Sequence, residues 1–335
     1  MFKLIKRVFW LFLSLLILSG AGVTAWLYSP LSLKAQLVDV SIEPQTSVRE
    51  MAVVVVDSGV NVNPELLFAL FKYSGQSRKL RAGSYELAQG NTPLDLLRKL
   101  TRGEESLKAV TLIDGWTFKQ FRAALSKADG LKHDAQNLSN EELMRQLGLP
   151  GVAPEGRFFP DTYTYGKGSS ELHLMQRAAH AMNKQLAQVW EARQANIQVT
   201  TPEEALILAS VIEKETGRES DRSMISSVFH NRLRIDMPLQ TDPTVIYGMG
   251  EAFDGNLHRA DLHTDTPWNT YTRKGLPPTP IAMPGKNALL AAVQPAKSDA
   301  LYFVARGDGS SQFSATLEEH NQAVAKFQLK AGQAK

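Results

Sequence analysis

The sequence predicts an α+β protein carried on an N-terminal membrane-spanning helix. Three observations lead there. An uncharged apolar run sits close behind the N-terminus, short strand candidates alternate with helices up to about residue 127, and a longer helical block ends in a hairpin.

The apolar run, Phe9–Tyr28, holds twenty residues without a charge. At about 1.5 Å per residue it spans roughly 30 Å, the thickness of a bilayer core. Lys3, Lys6 and Arg7 precede it, which predicts a cytoplasmic N-terminus and an exported body. A cleaved signal peptide centred on Val8–Leu18 is the rival reading, and it exports the body as well. Residues 29–45 then read as a tether.

Val53–Val56 reads as a buried strand and Pro64–Tyr73 as a helix with Leu66, Leu67, Leu70 and Phe71 inward. Gly83–Leu87 reads as a strand. Thr92 caps a helix that opens with Pro93 and runs to about Leu100. A second strand–helix unit follows, with Val110–Ile113 as strand, Asp114-Gly115 as turn and Thr117–Lys127 as helix. Residues 128–170 are loop-rich. A long helix over about 171–195 buries Met175, Ala179, Met182, Leu186 and Val189.

The next helix has the clearest signals. Thr201 suits the N-cap, Pro202 the first turn, and Glu204 completes a capping box. Ala205–Ile212 is apolar almost all round, so the helix is buried on most sides. It ends in Glu213-Lys214-Glu215-Thr216, with Gly217 as the expected stop. Another helix runs from about Asp221 to Arg234. Met237–Pro284 reads mostly as loop, long enough to imply a functional role. The tail predicts a hairpin with strands near 301–305 and 312–314, then a helix over about 317–329.

Composition and motifs narrow the chemistry. Hydrophobic residues make up 43% of the 335 residues and charged residues 21%, which excludes a wholly disordered chain. The net charge of +3 equals the three cations before the apolar run, so no basic stripe for nucleic acid remains. With no cysteine there is no thiolate metal site or Cys nucleophile. The seven histidines form no tight pair, so no metal site is expected. Neither a Gly-x-Ser-x-Gly elbow nor a Walker loop is present, and Gly248-Met249-Gly250 lacks the third glycine of a dinucleotide site. No cofactor is expected.

Two features remain. A carboxylate at the end of an apolar helix is partly desolvated, which suits a general acid. Periodicity does not choose between Glu213 and Glu215, which lie about 200° apart around the helix. The segment Leu239–Gly248, with Gln240, Asp242 and Tyr247, and the triplet Asn269-Thr270-Tyr271 offer amides, carboxylates and rings of the kind that bind sugars. The same residue types also make turns without any ligand.

At these residues the sequence resembles the YceG-like family, the endolytic murein transglycosylases. The stretches that carry the resemblance are Leu208–Thr216, Val228–Leu233, Leu239–Gly248, Asn269–Tyr271, Gly275–Pro278, Glu319–Asn321 and, upstream, Glu155–Tyr163. The resemblance implies a LysM-like subdomain over residues 46–105 and a YceG-like catalytic domain over 106–335, behind a cytoplasmic tail of 1–8 and a membrane helix of 9–28. It places the catalytic glutamate on Glu213 and suggests that Gln240, Asp242, Asn269 and Tyr271 position the sugar. The implied reaction cuts peptidoglycan between N-acetylmuramic acid and N-acetylglucosamine and leaves a 1,6-anhydro end. The implied setting is a single-pass inner-membrane protein with a periplasmic body, working on nascent glycan strands beside peptidoglycan synthases. A two-carboxylate glycoside hydrolase and a non-catalytic wall-binding scaffold remain the alternatives.

Overall fold

The fold is that of a computed structural model, which describes residues 2–42, 45–104 and 107–329. Two compact units form. The first comprises Met1–Ala109, Asp129–Lys132 and Thr164–Ser169; the second comprises Val110–Ala128, His133–Tyr163 and Ser170–Lys335.

The first unit opens with helix α1, Phe2–Leu27. Its segment Phe9–Leu27 is long and apolar enough, by length and composition, to cross a membrane, and large side chains such as Trp10, Phe12 and Leu15 are exposed. The helix begins well before the apolar run, so the expected tail is helical from its second residue and Tyr28 lies past its end. The expected tether is not one. Strands β1 (Ser32–Leu33) and β2 (Leu37–Ile42) occupy it, with 43–44 outside the described residues. Val38, Val40 and Ile42 point inward in alternation, as a half-buried strand requires.

Val53–Val56 is also corrected. It belongs to helix α2, Val48–Asp57, which starts at a Ser47–Glu50 capping box and buries Met51, Ala52 and Val55. Those burial steps are helical, so local capping and the core face override the strand preference of the valines. The short strand β3 (Val60–Asn61) pairs with β1, and helix α3 (Pro64–Tyr73) buries Leu67 and Phe71. Strand β4 (Gly83–Ala88) pairs antiparallel with β2, Leu37 opposite Ala88 and Ile42 opposite Gly83. Helix α4 (Pro93–Arg102) starts at a Thr92–Asp95 capping box. It ends at Gly103, whose φ of 68° is the left-handed cap that glycine adopts without cost. Val40, Tyr85, Leu87, Leu96 and Leu100 form the core of this unit, and Trp26 packs partly against it.

Strand β5 (Leu107–Thr111) pairs with β6 (Thr162–Gly166), and helices α5 (Phe118–Ser126) and α6 (Asn140–Gln146) lie between them in sequence. The core of the second unit is built around α8 (Pro202–Glu215), in which every residue from Ala205 to Ile212 is buried. Around it pack α7 (Glu171–Glu191), α9 (Glu219–Arg234), α10 (Asp242–Met249) and α12 (Lys286–Val293). Alanines face each other where α8 meets α12, with Ala205 and Ala209 in one core with Ala288, Ala291 and Ala292. Small side chains let the two backbones approach closely. A buried leucine such as Leu208 is worth about 2–5 kcal/mol on truncation to alanine.

The stretch Met237–Pro284, expected mostly as loop, contains α10, a 3₁₀ turn at Gly250–Ala252 and the short α11 (Arg259–His263). The expected hairpin is present as β7 (Tyr302–Ala305) and β8 (Ser311–Ser314), Tyr302 opposite Ser314. Helix α13 (Leu317–Val324) packs on this hairpin and continues as a π turn over Ala325–Leu329. The whole is mixed α+β.

Candidate active site

Helix α8 delivers its two terminal carboxylates to different surroundings. Thr201 caps it by accepting from the Glu204 N–H, while the Glu204 carboxylate accepts from the N–H and hydroxyl of Thr200. At the other end Thr216 turns extended and stops the helix, so the expected glycine stop is not used. Gly217 takes no left-handed conformation.

The Glu213 side chain is only 6% exposed. Its Oε1 accepts from Arg222 Nη2 at 3.1 Å and its Oε2 from the Gly285 N–H at 2.9 Å. The turn at Asp114-Gly115 lies beside it and is held to Met283 by two backbone hydrogen bonds of 2.8 Å. A Cβ on Gly285 would come within 2.6 Å of the Asp114 carboxyl, so a larger residue there would push that carboxyl aside. Partial desolvation, and then the nearby Glu213 charge, push the Asp114 carboxyl above its usual range.

Glu215 points elsewhere. Its Oε1 accepts a hydrogen bond from the Thr241 hydroxyl. Burial pushes its carboxyl up to about 7; the Asp242 charge adds to this, while Thr241 and Arg232 pull against it. Glu215 lines a cavity of about 470 Å³ with Arg232, Gln240, Asp242, Tyr271, Tyr302 and His320 among its walls. Glu213 does not line it.

The walls are built from the segments the sequence singled out. Arg232, on α9, donates to the carbonyls of Leu301, Pro238 and Leu239 and to Gln240 Oε1, so it ties three stretches of wall together. Gln240 takes a left-handed φ of 52°, strained for a residue with a side chain, and its N–H donates to Thr270 O. Buried threonines brace this turn. The Thr241 N–H donates to Thr270 Oγ1 at 3.1 Å, and the Thr244 hydroxyl donates to Thr241 O at 2.7 Å. Tyr271 donates its hydroxyl to Asp242 Oδ1 at 2.5 Å.

Gln240, Asp242 and Tyr271 therefore share one cavity. Asn269, expected to touch substrate, is instead fully buried. Its Nδ2 donates to the carbonyls of Asp261, Leu262 and Thr264, and its Oδ1 accepts from the N–H groups of Tyr271 and Thr272. It shapes the loop that presents Tyr271 and has no polar atom left for a ligand.

Several functional candidates stand out by no local pattern, although Glu155 and His320 fall in stretches that carry the family resemblance. Arg222 and Asp114 meet Glu213 from remote positions. Tyr302 and His320 reach the cavity from the C-terminal hairpin and helix. Glu155 is a third buried carboxylate, raised to about 7 by burial; it accepts from the Phe118 N–H and the Tyr247 hydroxyl. It joins the start of α5 to α10 and lies outside the cavity. Among the described residues no group of three His, Asp or Glu is placed to hold a metal ion.

Comparison with known proteins agrees with this architecture. The YceG-like family matches residues 40–326. A relative from Bacillus subtilis (strain 168), named endolytic murein transglycosylase, is 33% identical over 309 residues, 87% of this chain and 84% of that protein. A relative of the same name from Streptococcus pneumoniae serotype 2 (strain D39) is 28% identical over 86% of this chain, which spans only 58% of that longer protein. The crystal structure of a yceG-like protein from Listeria monocytogenes aligns with a TM-score of 0.54 and 31% identity, covering 86% of this chain and 98% of that one. A family match over most of the chain, a relative above 30% identity along nearly its full length and a shared fold make this chain a member of the YceG-like family.

Proposed function

We propose that this chain is a peptidoglycan transglycosylase whose acid/base is Glu215, the second acid of the Glu-Lys-Glu triplet. The observation that carries this reading is the cavity in which a carboxyl raised to about 7 stands among Gln240, Asp242 and Tyr271. A group with that pKa is partly protonated at neutral pH and can both give and take a proton. The names of the relatives supply the substrate class.

In the proposed reaction Glu215 donates its proton to the glycosidic oxygen between N-acetylmuramic acid and N-acetylglucosamine, and the bond from C1 to that oxygen breaks. The resulting carboxylate stabilises positive charge at C1, then takes the proton of the muramic acid 6-hydroxyl as O6 bonds to C1. The product is a 1,6-anhydro end and no water is consumed. A two-acid glycosidase needs a second carboxylate on the reacting sugar. Asp242 is the nearby candidate, but its Oδ1 is held by Tyr271, which suits it better to positioning.

A second reading keeps Glu213 as the acid/base. The resemblance of the Glu-Lys-Glu segment favours it, and the raised Asp114 carboxyl beside it is a specific structural point in its support. Against it, both Glu213 oxygens are already occupied by Arg222 and a backbone N–H.

The same proposal covers the setting. Helix α1 acts as a single-pass anchor with its N-terminus cytoplasmic, supported by its apolar length and by the three cations in its first turns. Residues 46–105 form most of a LysM-like subdomain that holds glycan. Two helices, α2 and α3, between the paired strands β2 and β4 support this, though the short β3 stands between the helices and the first strand lies before residue 46. Cutting close to the membrane would end nascent strands, beside the synthases that extend them.

The test is digestion of uncrosslinked glycan strands by wild type, Glu213→Gln and Glu215→Gln, with products read by mass spectrometry. A transglycosylase gives ends one water lighter than a hydrolase. Reducing ends would establish a hydrolase, and binding without release would establish a scaffold. Loss of cutting in Glu213→Gln alone would move the acid/base to Glu213.

A further inference from the structure

We propose that His320 is a substrate-contacting residue, whose Nε2–H offers an uncharged hydrogen bond to a hydroxyl or acetamido oxygen of the amino sugar beside Glu215. This rests on reading the Glu215 cavity as the glycan site.

His320 sits one turn into α13. The neighbouring Glu319 is spent on the helix start, accepting from the N–H groups of Ala315 and Thr316. His320 instead lines the cavity. Its ring stacks on Tyr302 of β7, centroids 5.2 Å apart and planes 23° from parallel, and the Arg232 guanidinium lies 5.3 Å from the same Tyr302 ring. The imidazole is therefore held in place before any ligand arrives.

Its two nitrogens differ. Nδ1 is buried without a hydrogen-bond partner. Either an N–H or a bare lone pair loses hydration there, but orphaned buried donors are rarer in folded proteins than under-satisfied acceptors, which favours the lone pair at Nδ1. The proton therefore belongs on Nε2, the nitrogen left for the cavity. A second proton would bury an unpaired Nδ1–H in the field of the Arg232 charge. Burial and the Arg232 charge both push the imidazole toward its neutral form.

Neutrality suits the chemistry. Cleavage at C1 builds positive charge on the sugar, and a cationic side chain there would oppose it. A neutral donor can grip a sugar oxygen without that penalty. The other cavity groups that could bear charge are Glu215, Arg232, Asp242 and Tyr271, with Tyr302 under the imidazole.

The experiment uses the full chain in detergent with Glu215→Gln throughout, so that no turnover occurs. Calorimetric titration measures affinity for uncrosslinked oligosaccharides of alternating N-acetylglucosamine and N-acetylmuramic acid. His320→Phe keeps a stacking ring and deletes the donor; His320→Gln places an amide nitrogen near the Nε2 position. We expect His320→Phe to weaken binding about three- to tenfold, the worth of one neutral hydrogen bond, with an unchanged thermal midpoint. We expect His320→Gln to recover most of the affinity. Tight binding by His320→Phe, or a loss in both variants alike, overturns the donor role and leaves only packing. Absence of glycan binding by the Glu215→Gln parent overturns the glycan reading itself, a result separate from either.

Discussion

Glu213 and Glu215 lie two residues apart on one helix and meet opposite fates. Glu213 is almost sealed from solvent, yet its charge is met by the Arg222 guanidinium and a backbone N–H. Glu215 has a hydroxyl partner and a cavity wall, and its carboxyl rises to about 7. Burial by itself does not make a general acid. What decides is whether the buried charge is compensated, and whether the group faces space that a substrate can enter. A carboxylate engaged at both oxygens fastens α8 to α9 and to the start of α12. One that is less compensated and open to a cavity can exchange protons.

The strongest way to break this comparison is Glu215→Gln. General acid–base groups contribute about a hundred- to ten-thousandfold, and kcat should fall by that factor with the fold unchanged by circular dichroism. In the wild type, kcat/KM should fall as pH rises through about 7, because the acid must carry its proton. A rate that stays flat to pH 9 would rule out Glu215 as the acid.

Glu213→Gln should act mainly on stability. Arg222 is 13% exposed and would lose its counter-charge, a cost of about 3 kcal/mol for a buried pair broken on one side. Denaturant unfolding would show that loss, while turnover of the folded fraction should stay within about tenfold of wild type. Abolished turnover in a folded protein would reverse the two roles.

Glu155 sharpens the point as a buried carboxyl outside the cavity. Its folded pKa of about 7 lies above the ordinary 4.5. Its contribution is therefore fully present below about pH 4.5 and is lost as pH rises through about 7. Glu155→Gln keeps the shape without the titration. It should match wild type at pH 4 and be more stable at pH 8 by about 2 kcal/mol, as read by thermal unfolding. Equal stabilities at pH 8 would mean that the carboxyl is solvated.

The smallest effect concerns the Thr241 hydroxyl, which pulls the Glu215 pKa down. Thr241→Val should move the alkaline limb of the rate profile upward by a fraction of a pH unit. A downward shift would show that the hydroxyl does not donate to the carboxylate.

Much of this site is legible in the sequence. The capped apolar helix, the carboxylates at its end and the polar segments Leu239–Gly248 and Asn269–Tyr271 follow from spacing and residue type, whereas Gln240, Asp242 and Tyr271 as sugar contacts follow from the family resemblance. Asparagine in a loop looks the same in sequence whether it faces a ligand or braces backbone, and Asn269 braces backbone in the fold. Val53–Val56 reads as a strand because valine runs favour strands, yet the Ser47–Glu50 capping box commits the segment to a helix. Lys286–Val293 gave no reading, although its alanines line the core beside α8.

By itself, the sequence determined the long apolar N-terminal helix, the α+β alternation, the buried α8 and the family. These rest on periodicity, capping and motif, all local along the chain. Only the tertiary structure decided which acid meets the cavity and which meets Arg222, because their partners Gly285, Arg222, Thr241 and Arg232 come from other segments. The electrostatics of a carboxylate depend on what stands within a few ångströms in space, and helical spacing alone leaves Glu213 and Glu215 equivalent.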